Sequence, residues 1–331
     1  MYIVGFLVSA AIIFFAGKKL SFYGDLLADM TGMGKAFIGL ILMSTVTSLP
    51  ELMVGISSVS IVQSADLAMG DILGSCALNL CLLSFMDVFT SKNKPLFSQV
   101  SQSHILAASF GVILLAFVGL GLFFETDILF SHSIGITSIS FSVLYLMSVR
   151  TIYRYQKANA SDSIEVTDNG HTEVYTLRGV ILRYSFFALI IIVVALSLPF
   201  FAEHIAEQTG LGKSFVGTLF LAVSTSLPEI AVSVAAVRMG SADMAVGNLL
   251  GSNIFNIFIL FIDDILYTKG LLLKDAADIN VMTVFIVLMM TAVAIIGFIF
   301  PYQKKRIFMA WDTLVIFLLY VFSLVLLYNL G

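Results

Sequence analysis

The sequence predicts an all-α integral membrane protein with ten transmembrane helices, arranged as two inverted-topology repeats of five helices each. The first observation is composition: 59% of the 331 residues are hydrophobic and 11% are charged, whereas soluble domains carry about 25% charged residues. The second observation is that two long motifs occur twice, in the same order, about half a chain apart. The formal net charge of -4 gives no indication of a nucleic-acid partner, so the lipid bilayer is the expected environment.

Ten segments are long and apolar enough to cross a bilayer, which takes about 20 residues of helix. The first is followed by Lys18 and Lys19 and not by a small-residue cleavage site, so we interpret it as an uncleaved helix. The predicted spans are 1–17, 36–62, 68–89, 103–123, 132–150, 180–202, 213–238, 243–266, 280–300 and 308–329.

The predicted spans divide the chain into two halves and a connection. Residues 1–150 contain spans one to five and form the first repeat, and residues 179–331 contain spans six to ten and form the second. Residues 151–178 between them are polar and show no clear hydrophobic periodicity, which is typical of a loop. We predict a cytoplasmic linker over this segment.

The distribution of basic residues predicts the orientation in the membrane. Of the 17 Lys and Arg residues, only Lys213, Lys269 and Lys274 fall on one side of the predicted topology. Basic residues are enriched in cytoplasmic loops, so the side with the many basic residues is expected in the cytoplasm. We therefore expect a multi-pass protein of the cell (inner) membrane with both termini extracytoplasmic.

The internal repeat is visible in two aligned pairs of segments. Residues 29–51 align with 207–229 without a gap, and 64–79 align with 241–256 after one deleted residue. Because each half holds an odd number of predicted spans, the second half is inverted relative to the first. Inverted repeats are typical of secondary transporters, which bind their substrate near the bilayer midplane where the repeats meet.

Each repeat contains a Ser-Leu-Pro-Glu phrase inside a predicted span. Pro50 and Pro228 lack an amide hydrogen and displace the carbonyl four residues earlier, which frees the carbonyls around Val46 and Ser224. Helical spacing places three further residues on the same face as each glutamate. The two sets are Ser44, Thr47, Ser48 and Glu51 in the first half, and Ala222, Thr225, Ser226 and Glu229 in the second. Such oxygen atoms suit hard cations such as Ca²⁺ and Na⁺.

The next predicted span of each half adds a second polar stripe with a spacing of four residues. The stripes are Asp71, Ser75 and Asn79 in the first half, and Asn248, Ser252 and Asn256 in the second. Two interpretations of Asp71 stay open, a ligand or a solvated residue near a helix end. A single intramembrane glutamate could serve only to bind another helix, but two at matching positions favour a functional site.

These motifs resemble the two alpha-repeats of the Ca²⁺:cation antiporter superfamily, and most closely its prokaryotic Na⁺/Ca²⁺ exchangers. The motifs that carry the resemblance are TSLPE and STSLPE, followed by GDILGSCALN and GNLLGSNIFN. The resemblance extends over the whole chain and implies ten helices, inverted halves and external termini. It departs from the family pattern at Asn256, where well-known Na⁺/Ca²⁺ exchangers have aspartate, and at Ser44, where alanine is frequent.

The resemblance also implies a role for each position. Glu51 and Glu229 would hold Ca²⁺ and be shared by Na⁺, and Thr47 and Thr225 would add oxygens beside them. The flanking Na⁺ sites would be formed by Ser48 and Ser226 with the oxygens of Ser44 and Ala222, Ser75 and Ser252 would contribute on the inner side, and Asn79 and Asn256 would sit centrally.

We expect a secondary antiporter that exchanges Ca²⁺ for Na⁺ by alternating access at a midplane site. A Ca²⁺/H⁺ exchanger is the first alternative, because the aspartate expected at Asn256 is missing, and a cation channel is a weaker one. An intramembrane hydrolase with paired carboxylates is disfavoured, since catalysis needs no such symmetry. We expect no enzymatic activity, no prosthetic group and no protein partner; the ligands are Ca²⁺ and Na⁺, with H⁺ as the alternative counter-ion.

Overall fold

The computed structural model describes residues 2–124, 129–131, 134–160, 175–198, 200–201, 204–205, 222–305 and 307–330. The main helices in this part of the chain are α1 (Tyr2–Thr31), α2 (Lys35–Val62), α3 (Ala65–Phe89), α4 (Ser103–Phe124), α5 (Ile136–Ala160), α6 (Leu177–Ala195), α7 (Leu227–Arg238), α8 (Ala242–Leu266), α9 (Ile279–Ile299) and α10 (Trp311–Leu330). A 3-10 turn, Leu96–Gln99, follows α3, and a short antiparallel pair, β1 (Leu129–Ser131) and β2 (Ile134–Gly135), precedes α5.

The all-α membrane architecture is confirmed. Within the described residues, nine helices are long and apolar enough to cross a membrane, and α7 is the one that falls short. The start of the predicted span 213–238 lies outside the described residues, which leaves 12 residues of α7 in view. The count of ten spans and the inverted relation of the halves stay predictions.

Two helices are longer than the sequence predicts. α1 continues from the predicted end at residue 17 to Thr31 and stops at Gly32, whose φ of 68° is a conformation that glycine adopts readily. α5 continues through the first ten residues of the predicted linker, 151–160. That stretch holds no proline or glycine, and Lys157 lies in the last turn, where a cation interacts favourably with the helix dipole.

The centre of the bundle is formed by α3 and α8, the third helix of each predicted repeat. Their most apolar stretches are 78% and 83% buried, against 22% for α5, α6 and α10. The outer helices instead expose large apolar side chains such as Phe15, Phe123 and Tyr328, which is how a protein surface meets lipid. Polar residues on α3 and α8 are therefore held away from lipid.

Glycines bring α2 and α8 into backbone contact. A Cβ atom added to Gly39 would collide with the Met244 carbonyl, and one added to Gly251 would collide with the Leu40 carbonyl. Small residues at a helix crossing permit this close approach in membranes. The crossing places the polar stripe of α8 directly beside the middle of α2.

The ends of α3 and α8 are fixed in matching ways. Asp87 Oδ1 accepts a hydrogen bond from the Leu96 amide at 2.7 Å, and Asp264 Oδ1 accepts one from the Leu272 amide at 2.9 Å. Asp87 also forms a buried ion pair with Lys305 at 3.2 Å. Each aspartate thus ties the end of a central helix to the loop that follows it.

Candidate cation-binding site

The two Ser-Leu-Pro-Glu phrases form two helix breaks with nearly the same backbone geometry. Ser48 interrupts α2 with φ and ψ of -91° and 8°, and Ser226 precedes α7 with φ and ψ of -82° and 4°. Pro50 and Pro228 follow in the first turn of the resumed helix, where a missing amide hydrogen leaves no hydrogen bond unmade. Proline is therefore accommodated at both breaks without a lost bond inside the resumed helix.

Glu51 and Glu229 lie in the first turn after each break. The positive end of a helix dipole stabilises a carboxylate there. The two glutamates are 1% and 0% exposed. Within the described residues neither one has a Lys, Arg or His partner, since the recorded ion pairs lie at Asp25 and Asp29, Asp243 and Asp87.

Each half of the site hydrogen-bonds the glutamate of the other half. The Ser48 hydroxyl donates to Glu229 Oε1 at 2.9 Å, and the Ser226 hydroxyl donates to Glu51 Oε1 at 3.2 Å. Charge-assisted hydrogen bonds of this kind are the stronger ones in proteins. The two carboxylates are thus held by reciprocal bonds between the chain halves. A structural change at one helix break therefore alters the hydrogen bonding of the glutamate at the other break.

The serines of the second stripes join the same network. Ser252 donates to Glu229 Oε1 at 3.3 Å, and its hydroxyl lies 3.5 Å from that of Thr47. Ser75 lies 3.3 Å from the Ser226 hydroxyl. Both serines are fully buried, so the structure brings the predicted stripe serines into the site.

The threonines of the two breaks contact the first polar residue of the opposite stripe. Thr47 donates to Asn248 Oδ1 at 3.3 Å, and Thr225 donates to Asp71 Oδ1 at 3.5 Å. Asp71 is only 3% exposed. The interpretation of Asp71 as a solvated helix-end residue is therefore wrong, because the packing of α3 in the centre of the bundle removes it from water.

The last asparagine of each stripe, Asn79 or Asn256, lies where the polar network ends at the α3–α8 crossing. Asn79 donates from Nδ2 to Asn253 Oδ1 at 3.1 Å, and Asn253 donates to the Cys76 carbonyl at 3.2 Å. Asn256 approaches the Cys76 sulfur at 3.9 Å. Asn79 and Asn256 are buried, and their Oδ1 atoms have no hydrogen-bond donor within the described residues.

Ser44 and Ala222 offer the same group despite their different side chains. The Ser44 hydroxyl donates back to the Leu40 carbonyl at 2.5 Å. It therefore does not join the hydrogen-bond network around Glu51, although helical spacing places Ser44 on the same face as Glu51. Its carbonyl accepts the Ser48 amide, and the Ala222 carbonyl accepts the Ser226 amide. The carbonyl is thus the oxygen that each position presents at its break.

Unpartnered acceptor oxygens are concentrated in this region. Among the described residues, nine buried side-chain polar atoms lack a hydrogen-bond partner, and seven of them are carboxylate or amide oxygens of α2, α3, α7 and α8. Buried polar groups normally have hydrogen-bond partners. A cluster of buried acceptor oxygens without donors is therefore typical of a cation-binding site. No group of three or more His, Cys, Asp or Glu side chains among the described residues converges on one point, so hydroxyl and amide oxygens must complete any coordination.

Three residues of the region were not among the predicted site residues. Asn248 was identified only as a stripe residue, and Asn253 replaces the cysteine found at the matching position of the first half. Asp263, on α8, is fully buried and neither of its oxygens has a hydrogen-bond partner within the described residues. It lies seven residues after Asn256, two helical turns along the same face, and this spacing was the available signal.

A family model described as sodium/calcium exchanger protein matches residues 1–154 and 180–329. The inner membrane protein YrbG of Escherichia coli (strain K12) is 28% identical over 267 residues, which cover 80% of this chain and 79% of that protein. The sodium/calcium exchanger MaX1 of Methanosarcina acetivorans is 34% identical over 142 residues, or 41% of this chain and 37% of that protein.

The solved structure of the sodium-calcium exchanger NCX_Mj superposes with a TM-score of 0.74, covering 98% of this chain and 99% of that one. The identity between the two is 18%. At this low identity the comparison shows a similar fold and no more, and the similarity extends over nearly the full length of both chains.

Proposed function

The chain belongs to the sodium/calcium exchanger protein family, and we propose that it is a secondary antiporter exchanging Ca²⁺ for Na⁺. The observation that carries the proposal is the pair of reciprocal Ser-to-Glu hydrogen bonds that joins two buried carboxylates at two helix breaks. The proposed ligands are the twelve predicted positions together with Asp71. They are Glu51, Glu229, Thr47, Thr225, Ser48, Ser226, Ser75, Ser252, Asn79, Asn256, Ser44 and Ala222.

Charge balance supports a divalent ion at the centre. Removing a carboxylate from water is unfavourable by several kcal/mol unless a partner charge compensates it, and among the described residues Glu51 and Glu229 have no cationic side chain to do so. One Ca²⁺ neutralises the two glutamates. Na⁺ ions distributed over the same oxygens would do so in its place, and competition for shared ligands is what couples the two fluxes.

The broken helices support alternating access. A continuous helix resists bending in its middle, whereas a break leaves a point at which the two parts can reorient. Transporters with matched broken helices bind their ions at these points and open them to one side at a time. Full burial of both glutamates corresponds to a closed site and disfavours a channel, whose filter would be open to both sides at once.

The proposed counter-ion is Na⁺, and H⁺ is the specific alternative to it. Asparagine at position 256 is a neutral ligand, so this position adds no charge for a third cation, and a Ca²⁺/H⁺ exchanger remains the second candidate. Asp71, which Thr225 contacts at 3.5 Å, restores one carboxylate to the region. A buried carboxylate binds either Na⁺ or H⁺, so the support for Na⁺ as the exchanged ion comes from the family model, described as sodium/calcium exchanger protein.

Flux in proteoliposomes tests the proposal directly. Vesicles loaded with Na⁺ should take up ⁴⁵Ca²⁺ when diluted into Na⁺-free buffer at equal pH, and uptake should saturate with external Ca²⁺. Uptake that follows an imposed pH gradient and ignores the Na⁺ gradient would replace Na⁺ with H⁺ in the proposal. Non-saturating flux without any counter-ion would indicate a channel.

The orientation proposed from the basic residues places both termini outside the cytoplasm. Single cysteines at Asn93, in the loop after α3, and at Thr268, in the loop after α8, test it because both side chains are exposed at opposite ends of α3 and α8. In a background without Cys76 and Cys81, an impermeant thiol reagent applied to intact cells should label position 268 and miss position 93. The reverse pattern would invert the topology.

A further inference from the structure

A groove of about 630 Å³ lies between α1 and α6 and opens at the surface of the bundle. The two helices run antiparallel, because the Ser9 hydroxyl lies 3.3 Å from that of Ser197, just beyond α6, and Tyr23 stacks on Phe187 nearer the other end of the pair. Small-molecule sites in proteins have volumes of roughly 300–1,000 Å³. None of the proposed cation ligands lies on α1 or α6, so the groove is separate from the central site.

The lining of the groove changes along α1 from apolar to basic. Ile12 and Phe15 line its first part, and Phe15 is 73% exposed, as expected of a side chain that meets lipid. Lys18 and Lys19 line the next turn, directly after the apolar run 1–17. Long basic side chains at the end of an apolar helical segment extend their charge to the level of the lipid headgroups.

Aromatic rings form the wall beyond the two lysines and hold a third cation. Phe22 and Tyr23 line the groove one helical turn after the lysines. Tyr175 packs edge-on against both rings, with centroids 6.4 and 6.5 Å apart. The Arg183 guanidinium lies 5.0 Å from the centre of the Tyr175 ring and 5.9 Å from that of the Tyr23 ring. These cation–π contacts hold an exposed guanidinium beside the groove.

The three cations at the groove have no acidic partner among the described residues, and all three side chains are exposed. They are Lys18, Lys19 and Arg183. The acids that follow on α1, Asp25 and Asp29, instead pair with Lys35 at 2.7 and 3.9 Å. Three positive charges therefore lie next to an apolar surface, and a ligand that satisfies both is an amphiphilic anion.

We propose that the groove binds one anionic phospholipid, with its phosphate at the three cations and an acyl chain along Ile12 and Phe15. The planar guanidinium of an arginine donates two parallel hydrogen bonds to a phosphate, and basic residues near the membrane surface attract anionic lipids. From Ile12 to Lys18 the helix rises about 9 Å, which gives an acyl chain an apolar wall. In the orientation proposed above, the groove faces the cytoplasmic leaflet.

Native mass spectrometry of the purified full chain in detergent measures binding, with phosphatidylglycerol and phosphatidylcholine of the same acyl chains as probes. Lys18→Gln combined with Lys19→Gln removes two charges and keeps the groove open. Lys92→Gln combined with Lys94→Gln is the matched control, because these lysines are exposed in the loop after α3, on the same predicted side. Ile190→Trp keeps every charge and fills the groove, which Ile190 lines.

The wild type and the Lys92→Gln, Lys94→Gln control should bind one phosphatidylglycerol at least tenfold more tightly than phosphatidylcholine, because only the first lipid carries a net charge. The Lys18→Gln, Lys19→Gln variant should lose about tenfold or more in affinity for phosphatidylglycerol and keep its affinity for phosphatidylcholine. Ile190→Trp should weaken the binding of both lipids. Excess inorganic phosphate should not displace the lipid, because it has no chain to occupy the apolar wall.

The thermal midpoint gives an independent measurement, because a bound ligand stabilises the folded state. Phosphatidylglycerol should raise the midpoint of the wild type and of the Lys92→Gln, Lys94→Gln control more than that of the Lys18→Gln, Lys19→Gln variant. An equal rise in all three proteins would contradict the proposal. Size-exclusion chromatography controls for the folding of each variant.

Three further results would overturn the proposal. An equal loss of phosphatidylglycerol in the control would reduce the effect to net charge, and displacement by inorganic phosphate would make the groove a site for small anions. Binding that begins only when the four acids of segment 161–174, outside the described residues, are changed to amides would make that acidic segment the occupant. None of these measurements involves Ca²⁺ or Na⁺, so each outcome leaves the proposed function untouched.

Discussion

The two helix breaks are close copies of each other, but the residues around them carry different charge. Ser48 and Ser226 have φ and ψ within about ten degrees of one another and donate to each other's glutamate. Asp71, by contrast, matches the neutral Asn248 of the other half. We infer that the centre requires both halves to be alike, whereas each flank belongs to one end of the bundle and can differ.

Asp263 is a second acid without an acidic counterpart in the other half of the chain. Asp263 is matched in the first half by Met86, which is buried in the apolar core. Both unmatched acids, Asp71 and Asp263, are therefore found at one end of the bundle, and the corresponding residues at the other end are an asparagine and a methionine. Variants at the centre, at the flanks and at Cys76 test whether a matched centre and unmatched flanks behave differently.

The largest effect is expected from neutralising either central glutamate. Glu51→Gln and Glu229→Gln should each abolish measurable Ca²⁺ exchange, because the remaining carboxylate cannot balance a divalent ion in a buried site. Exchange is measured as Na⁺-dependent ⁴⁵Ca²⁺ uptake, and size-exclusion chromatography controls for folding. Wild-type uptake in either variant would remove that glutamate from the site, and unequal losses would show that the centre is not matched.

The reciprocal serines are expected to give the next largest effect. Ser48→Ala and Ser226→Ala should each weaken the apparent Ca²⁺ affinity about tenfold or more, because a hydrogen bond to a charged group contributes roughly 1.5–3 kcal/mol. The two losses should agree within about threefold if the centre is symmetric. Ser44→Ala serves as the control, since its hydroxyl bonds only to backbone carbonyls of its own helix, and it should leave affinity unchanged.

Exchanging the flanking residues tests the asymmetry of charge. Asp71→Asn should lower the apparent Ca²⁺ affinity about threefold to tenfold, as expected for the loss of one partly screened charge near the ion. Adding Asn248→Asp to that variant moves the charge to the opposite end. The double variant should recover affinity for Ca²⁺ presented on the other face, measured with inside-out and right-side-out vesicles. Equal affinities on both faces for all three proteins would show that the flanks have no influence on binding.

The smallest effect is expected at Cys76. It stands where the second half has Asn253, and within the part of the chain that the structure describes its sulfur makes only long contacts of 3.9 Å with Asn253 and Asn256. Cys76→Asn makes the two halves alike at this position and should change the transport rate less than about threefold, since weak sulfur hydrogen bonds add little. A loss comparable to that of the glutamate variants would give the thiol a role that its contacts do not indicate.

The sequence was sufficient for the all-α membrane class and for the residues that the structure gathers at the two breaks. Pro50 and Glu51 were informative because both are unfavourable in lipid, and their repetition at Pro228 and Glu229 made chance improbable. The ion-binding roles of these residues stay predictions.

The remaining features depend on contacts between distant segments. In the sequence, Asp263 resembles an ordinary polar residue at a helix end. Only the structure shows that Gly55 of α2 packs against its carboxylate. The orientation of the Ser44 hydroxyl is decided by local geometry, because its own helix offers the Leu40 carbonyl as an acceptor. The length of α1 was missed because Lys18 and Lys19 end the apolar run without ending the helix, which continues through Gly24 and stops at Gly32, where φ is positive.

The backbone contact between α2 and α8 has a consequence for how variants of this protein are judged. Gly39, Gly247 and Gly251 carry no charge and bind no ion, yet each prevents a collision with a main-chain carbonyl of the neighbouring helix. A substitution there would push the two helices apart and separate Thr47 from Asn248 and Ser252, although every ligand were intact. The positions of the ligands therefore depend on three glycines that bind no ion themselves. A search limited to chemically reactive side chains would miss them.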